Sequence, residues 1–148
     1  MKETFNVANH TDGRFIFMKN QLTLIVAAKW QQYLNERKYE ELLKLTEANV
    51  EVVDDKGSNF GHKALLDCIN RTGLTLLTLN SYVNEEKLIL KHRRIWKSED
   101  GENKKEALVY SYIKMNNGKV AYIQSFNDSE EAEAASGISI PNETKLPF

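Results

Sequence analysis

Cysteine is almost absent from this 148-residue chain, and long apolar runs are missing. A single cysteine, Cys68, cannot close an intramolecular disulfide, and a lone thiol fits a reducing cytoplasm best. No stretch approaches the roughly 18 apolar residues that a membrane span requires. Residues 1–20 also lack the basic start and apolar core of a signal peptide. The sequence therefore predicts a cytoplasmic protein with no membrane partner.

An excess of positive charge is also lacking. The chain has 20 Lys and Arg residues against 21 Asp and Glu residues, for a formal charge of -1, whereas binding to nucleic acid phosphates favours a basic surface. The basic cluster at residues 91–94 is divided by alternation between two faces of a predicted strand, which is more typical of a solvated strand edge. We expect no nucleic acid partner.

Motifs for metals and cofactors are not found either. The three histidines lie far apart in the sequence, and neither Cys-x-x-Cys nor His-x-x-x-His spacing occurs, so no metal site is expected. Gly-x-Gly-x-x-Gly and the Gly-Lys-Ser/Thr of a phosphate-binding loop are both missing. The sequence therefore predicts no cofactor.

The length fits one domain, in which folding buries roughly 70% of the surface of the chain. Residues 21–128 form the predicted domain, and residues 129–148 form a C-terminal tail that is acidic at first and then contains Gly and Pro. Residues 1–20 alternate weakly around the turn signal Thr11-Asp12-Gly13-Arg14. This N-terminal extension is predicted to be either a hairpin or flexible.

Hydrophobic periodicity predicts three helices. Apolar residues recur every three or four positions over residues 21–35, and again in a shorter segment that begins at Tyr39. A third helix is expected to begin at Gly61 and to end at Gly73, which suits a left-handed C-terminal cap. Its apolar face carries Leu65, Cys68 and Ile69.

Extended segments occupy most of the remaining domain. Residues 50–53 form a short β-branched strand, which the turn chemistry of residues 54–57 closes. Residues 75–83, 87–97, 106–115 and 119–127 are predicted strands. Between the last two, Asn116-Asn117-Gly118 is a strong hairpin signal.

Side-chain alternation along the last three strands separates two faces of the sheet. We assign the smaller and more apolar face to the inside, next to a pocket, although a β-bulge would reverse the assignment beyond it. The inner set is Leu88, Leu90, His92, Arg94, Trp96, Val109, Ser111, Ile113, Ala121, Ile123, Ser125 and Asn127. The outer set includes Tyr110, Tyr112, Tyr122 and Phe126.

Four local features follow one another in order through residues 21–128. They are Trp30 with the later Tyr39-Glu40-Glu41-Leu42-Leu43; Ala48-Asn49-Val50-Glu51-Val52; Phe60-Gly61-His62-Lys63-Ala64-Leu65; and Gly118-Lys119-Val120 with Asp128. In this order the chain resembles the SnoaL-like branch of the nuclear transport factor 2-like superfamily. The resemblance implies an α+β cone in which a strongly bent antiparallel sheet packs on three helices and encloses a pocket. Because this fold hosts enzymes and binding modules alike, it does not imply one activity.

The resemblance also allows a test for one known mechanism of this fold. An isomerase of the ketosteroid type would carry a tyrosine, a carboxylate base and a carboxyl donor where this chain has Trp30, Val52 and Ser111. That departure argues against this mechanism. Asp54 and His92 remain the candidate catalytic pair, because a carboxylate that orients an imidazole makes a usable general base at roughly 3 Å. A turn carboxylate and a packed sheet histidine are the structural alternatives.

Binding of a small molecule is the leading hypothesis, with an apolar or aromatic ligand that bears one or two oxygen functions. The rival hypotheses are a cofactor-free isomerase, dehydratase or cyclase and a protein-interaction module. The outer aromatic residues predict a homodimer through the outer sheet face, because a monomer rarely leaves such a patch exposed. The predicted ligand-binding residues are Trp30, Tyr33, Phe60, Leu90, Trp96, Ser111, Ile113, Ile123 and Ser125.

Overall fold

A computed structural model describes residues 2–97 and 104–141. In these ranges the chain forms helices on both sides of one sheet. The elements are α1 (Lys2–Glu36), α2 (Tyr39–Lys44), β1 (Thr46–Asp54), β2 (Gly57–Phe60), α3 (His62–Thr72), β3 (Thr75–Asn84), β4 (Lys87–Lys97), β5 (Lys104–Asn116), β6 (Lys119–Phe126) and α4 (Ser129–Ser136).

The six strands form one curled sheet in the order β2-β1-β6-β5-β4-β3. Neighbouring strands are antiparallel except for β1 and β6, which run parallel. The predicted antiparallel sheet is therefore correct except at this pair. The short strand β2, which the sequence analysis did not predict, continues the sheet beyond β1. The α+β architecture itself is confirmed.

Local signals determine both ends of α3. Gly61 precedes the helix with a φ of 101°, and Gly73 follows it in the left-handed region with a φ of 59°. The backbone N–H of Gly73 donates to the carbonyl oxygen of Ile69, one of the last carbonyl groups of the helix. The predicted cap is confirmed, and the helix that it ends contributes Leu65 and Ile69 to the core.

The hairpin between β5 and β6 is likewise confirmed. Asn117 and Gly118 have φ values of 53° and 78°, and a two-residue hairpin turn of the commonest type needs positive φ at both central residues. Asn and Gly tolerate this conformation best. The turn places β5 and β6 side by side with Tyr110 opposite Phe126 and Ser111 opposite Ser125.

The predicted inner face of the sheet is confirmed, with one local reversal. Leu88 and Ile113 belong to the buried core, as their alternation predicts. The register between β5 and β6 then shifts at Ala121, where β6 carries an extra residue. Val120 therefore lies on the same side as Ile123, although three positions separate them. Ala121 is a bulge residue, so its assignment to the regular inner face is wrong.

Helix α1 begins at Lys2. The hairpin predicted around residues 11–14 is therefore wrong, whereas the flexibility of this segment stays a prediction. Gly13 lies inside the helix with nothing near the place of a Cβ atom, and glycine at such a position costs only about 1 kcal/mol relative to alanine. Extension of a helix that already exists is much easier than starting one. The following apolar turns of α1 therefore outweigh the local turn signal.

The middle of α1 is fastened to the turn between β3 and β4. Lys19 forms an ion pair of 3.3 Å with Glu86, and Thr23 Oγ1 donates to the carbonyl oxygen of Glu85 at 2.5 Å. The backbone N–H of Glu85 in turn donates to Asn20 Oδ1 at 2.6 Å. The exposed apolar side chains in this part of α1 are Phe15, Ile16, Phe17, Met18, Leu22 and Ile25.

The outer face of the sheet carries a layer that the sequence analysis did not predict. The supposed tail begins with α4, whose N-cap Asp128 accepts a hydrogen bond from the backbone N–H of Glu131. Ala132 of α4 and Ile138 beyond it pack on Ile89 of β4. The side chains packed against this second cluster are Tyr82, Tyr110, Phe126 and Ile140.

This outer layer removes part of the basis for the predicted dimer contact. Tyr110 and Phe126 pack against α4 and the residues after it, and Tyr112 is only 2% exposed within a single chain. Tyr122 is half-buried and lies 5.6 Å from Tyr112 between ring centres. The aromatic face is therefore largely covered by its own chain.

Candidate functional site

A cavity of about 630 Å³ lies between the inner face of the sheet and helices α1 and α3. Its apolar wall includes Trp30 and Leu34 from α1, Leu65 and Ile69 from α3, and Ile113 from β5. Polar groups are few inside and more numerous at the rim. The charged residues of the rim are Asp54, Asp55, Lys56, Arg71 and Glu131, all of them exposed.

The structure brings most of the predicted site residues to this one cavity. Those that line it are Trp30, Asp54, His92, Ser111, Ile113, Ile123 and Ser125. Four predicted residues lie elsewhere, so their assignment to the cavity wall is wrong. Tyr33 and Leu90 pack in the main core, Phe60 is 64% exposed beside a shallower pocket, and Trp96 is half-buried beyond the wall.

For three of these four residues the physical reason is local. Leu90 has the predicted parity, but the core closes over it and leaves only 4% of its surface exposed. Phe60 ends β2 at the edge of the sheet, where its side chain faces the second pocket with Lys63 and Asp67. Trp96 lies towards the end of β4, and the guanidinium of Arg94 stands 5.6 Å from its ring centre.

His92 is the most deeply buried polar residue of the cavity wall, at 1% exposure. Its Nδ1 lies 3.5 Å from Thr78 Oγ1, and that hydroxyl donates its proton to Gln31 Oε1. The Thr78 oxygen can therefore only accept from Nδ1–H, so Nε2 carries the lone pair. No described residue supplies a partner for Nε2.

Burial and a neighbouring cation keep this imidazole neutral. Loss of hydration is the larger cause and the charge of Arg94 the smaller one, and together they lower the pKa of His92 from 6.5 to about 4. A histidine with so low a pKa is a weak base at neutral pH. The group is better suited to accept a hydrogen bond than to abstract a proton.

Asp54 does not form the predicted pair with His92. Its Oδ1 accepts a 2.8 Å hydrogen bond from the backbone N–H of Lys56, which is the usual role of an aspartate in a tight turn. The residue is exposed at the rim, whereas His92 has Thr78 at one ring nitrogen and no partner at the other. Both residues line one cavity, but the carboxylate does not orient the imidazole.

Trp30 owes its position to a hydrogen-bond chain. Its Nε1–H donates to Thr46 Oγ1 at 2.9 Å, and this hydroxyl donates to the carbonyl oxygen of Leu42 at 2.8 Å. The Thr46 carbonyl oxygen accepts a hydrogen bond from His62 Nε2 at 3.1 Å. These bonds join α1, α2, β1 and α3, so the indole is a rigid wall of the cavity.

The two serines of the cavity wall form a hydrogen bond with each other. Ser111 and Ser125 face each other across β5 and β6, with their hydroxyl oxygens 3.1 Å apart. Ser111 is buried and Ser125 exposed, so one hydroxyl still has hydrogen-bonding capacity towards the cavity. The pair therefore provides a polar spot on an otherwise apolar surface.

Arg94 is the residue that the sequence analysis undervalued. Its alternation already placed it on the inner face, but the basic cluster was assigned to a solvated edge. The side chain instead lines the cavity, and its buried Nε has no hydrogen-bond partner among the described residues. The alternation along β4 already indicated this position, because it places Arg94 on the same face of the sheet as His92, two residues earlier.

Across residues 2–97 and 104–141, no three His, Cys, Asp or Glu side chains are grouped as metal ligands. No helix in the same ranges is both long and apolar enough to cross a membrane.

Comparison with known proteins identifies the fold. No protein-family model and no curated protein sequence matches the chain. Among solved structures, an NTF2-like protein of unknown function from Cytophaga hutchinsonii superimposes with a TM-score of 0.62 at 11% sequence identity, over 74% of this chain and 93% of that one. The chain has the nuclear transport factor 2-like fold.

Two further structures with this fold hold small molecules. RV0760c from Mycobacterium tuberculosis, in complex with estradiol-17beta-hemisuccinate, has a TM-score of 0.63 at 12% identity, over 74% of this chain and 95% of that one. TerC, co-crystallized with polyporic acid, has a TM-score of 0.63 at 16% identity, over 76% of this chain and 96% of that one. Identities this low establish the shared fold and nothing about a shared ligand.

Proposed function

We propose that the protein is a SnoaL-like small-molecule-binding protein whose ligand occupies the cavity between the sheet and helices α1 and α3. The observation that carries the proposal is the cavity itself. Its volume of about 630 Å³ lies inside the range of roughly 300 to 1,000 Å³ that is typical of small-molecule sites. Its mixture of apolar wall and few polar groups is also typical of such sites.

The chemistry of the wall favours an apolar or aromatic skeleton. Trp30, Leu34 and Ile113 contribute large apolar surfaces, and Trp30 is held rigidly by Thr46. Ser111 and Ser125 add hydroxyl groups that suit an oxygen function of the ligand. The molecules that accompany RV0760c and TerC are consistent with this class.

A fluorescent probe tests the proposal directly. N-phenylnaphthylamine is apolar and aromatic and brightens on entering an apolar site, so it should bind with one-to-one stoichiometry. Ile123→Trp places an indole on the cavity wall and should weaken binding at least tenfold, whereas Leu108→Trp adds the same group at an exposed position away from the cavity. Calorimetric titration supplies the stoichiometry. Equal binding by both variants would locate the probe outside the cavity and refute the proposal.

Catalysis through Asp54 and His92 is the second candidate, and the observation that favours it is their presence on one cavity wall. Binding without catalysis is the better-supported function, because Asp54 and His92 are not hydrogen-bonded to each other and the pKa of His92 is low. Once a substrate is identified, the variant His92→Gln distinguishes catalysis from binding without catalysis. Complete loss of turnover with probe binding retained would support catalysis, whereas full activity of the variant would exclude His92 from the reaction.

The location and assembly of the protein complete the proposal. We propose a cytoplasmic protein, because its single cysteine cannot form an intramolecular disulfide. The homodimer stays a prediction, and Tyr122 is the half-buried aromatic residue through which the outer face could still form it. Sedimentation of Tyr122→Asp tests that contact. Leu22→Glu tests the exposed stripe of α1 as the alternative surface, and a monomeric unmodified protein at micromolar concentration would refute both.

A further inference from the structure

The charged end of the cavity carries an arginine that forms no ion pair with a carboxylate of residues 2–97 or 104–141. Arg94 lines the cavity, and its Nε is buried without a hydrogen-bond partner. Among the described residues no carboxylate forms an ion pair with its guanidinium. A partly buried cation that lacks a partner is unfavourable, because it loses hydration and gains nothing in exchange.

The neighbouring residue on the same strand shows the contrast. Arg93 points to the opposite face of the sheet, where its Nε lies 3.7 Å from Glu106 Oε1 and both side chains are more than half exposed. Its charge is therefore solvated and paired. Arg94 is half-buried and has an aromatic ring in place of a carboxylate, with Trp96 5.6 Å from the guanidinium carbon. Such a contact orients a guanidinium without neutralising it.

The other charged or titratable residues of the cavity wall differ from Arg94 in their exposure, their partners or their charge. Arg71 and Lys56 are exposed cations of the rim, and Asp55 and Glu131 are exposed carboxylates of the rim. Asp54 accepts a hydrogen bond within its own turn. His92, two positions away on β4, is kept neutral by burial and by the charge of Arg94. On the inner face of β4, Arg94 is therefore the group that carries charge at neutral pH.

We propose that Arg94 binds an anionic oxygen group of the ligand, so that the cavity selects carboxylates or other oxyacids on an apolar ring system. The inference rests on the proposed function, which supplies the ligand. A guanidinium offers parallel N–H donors that match the two oxygens of such a group. The apolar wall next to it, with Trp30 and Leu34, receives the uncharged rings.

Two probes with one ring system separate this inference from binding in general. Anilinonaphthalenesulfonate and N-phenylnaphthylamine share their aromatic skeleton and differ by the sulfonate group. We expect Arg94→Gln to lower the affinity for the sulfonate probe about tenfold or more and to change the affinity for the neutral probe less than twofold. Arg93→Gln is the matched control on the other face of the strand and should leave both affinities unchanged. Arg94→Lys should recover only part of the affinity for the sulfonate probe, because it keeps the positive charge but loses the parallel N–H donors.

The outcomes distinguish the two proposals. If the neutral probe binds in the cavity and Arg94→Gln affects neither probe, or weakens both equally, the inference is overturned while the proposed function stands. If neither probe binds the unmodified protein, both are overturned. Should Arg94→Gln fail to fold, the salt dependence of the unmodified protein replaces it. The affinity for the sulfonate probe, and not that for the neutral probe, should then fall as sodium chloride is added. An equal response of both affinities to salt would overturn the inference.

Discussion

The two faces of the sheet differ in how completely other parts of the chain pack against them. On the outer face, Ile89 is completely buried by α4 and the residues that follow it, together with Ala132 and Ile138. On the inner face, helices α1 and α3 leave a cavity of about 630 Å³ beside a largely apolar wall. His92 Nε2 and Arg94 Nε, on residues that line this cavity, are buried without a hydrogen-bond partner among the described residues. The outer face is closed for stability, and the inner face is kept open at the expense of packing and hydrogen bonding.

Both faces derive from one alternating pattern, so alternation alone does not distinguish an open face from a closed one. Ile89 and Leu90 are neighbours in β4 and both are buried. The difference arises from what packs on each side. A short helix lies flat on the outer face, whereas α1 and α3 span the curled inner face without filling it.

The largest expected effect is the loss of stability in one of two identical truncations. Ile89→Ala removes a completely buried side chain from the outer layer and should lower the free energy of unfolding by about 4 kcal/mol. Ile123→Ala removes the same atoms from the wall of an existing cavity, where Ile123 is only half-buried. It should cost about 1.5 to 2 kcal/mol. Urea unfolding measures both, and equal losses would show that the inner face is packed as tightly as the outer one.

His92 gives the inner face a pH dependence of its own. Its folded-state pKa is lowered from 6.5 to about 4, so the unfolded chain binds a proton that the folded protein does not within this window. The contribution to stability is fully present above pH 6.5 and is lost as the pH falls through about 4. The loss amounts to about 3 kcal/mol.

Replacement of the imidazole isolates this contribution. Between pH 7 and pH 4, His92→Gln should lose about 3 kcal/mol less stability than the unmodified protein, because the variant lacks the titrating group. Urea unfolding at a series of pH values supplies both curves. If the two curves run parallel, His92 is not desolvated and the cavity around it contains water.

The smallest effect is expected at the rim. Asp54→Ala removes the acceptor for the backbone N–H of Lys56 and should cost about 0.5 to 1 kcal/mol, because the bond is exposed. Asp54→Asn retains an acceptor oxygen and should change stability by less than about 0.3 kcal/mol. Thermal unfolding compares the two variants. An equal loss in both would mean that the negative charge, and not the turn, is what the position requires.

Residues whose structure depends on near neighbours were predicted well. The caps of α3 at Gly61 and Gly73 and the turn at Asn117 and Gly118 follow from backbone conformations that few residues adopt. The inner assignment of His92, Ser111 and Ser125 follows from strand alternation, which holds until a bulge interrupts it at Ala121. For these positions the local stereochemistry is sufficient.

Residues whose role depends on distant parts of the chain were not predicted. The signal for a turn at residues 11–14 is local, but α1 runs through it because a helix already formed is easily extended. Residues 129–136 have too weak an apolar face to identify a helix, and α4 becomes stable where Ala132 meets Ile89. The parallel pairing of β1 and β6 joins strands that are separated by most of the domain.

The sequence by itself determined the strand alternation, the ends of α3, the β5–β6 turn and the absence of common metal and nucleotide motifs, because each depends on residues close together in the chain. Only the tertiary structure decided that Asp54 belongs to a turn and is not hydrogen-bonded to His92. It also decided that Arg94 lines a cavity, with its Nε buried and unpaired among the residues that the structure describes. The physical reason is that burial, desolvation and pairing are properties of the space around a side chain. That space is formed by elements far apart in sequence.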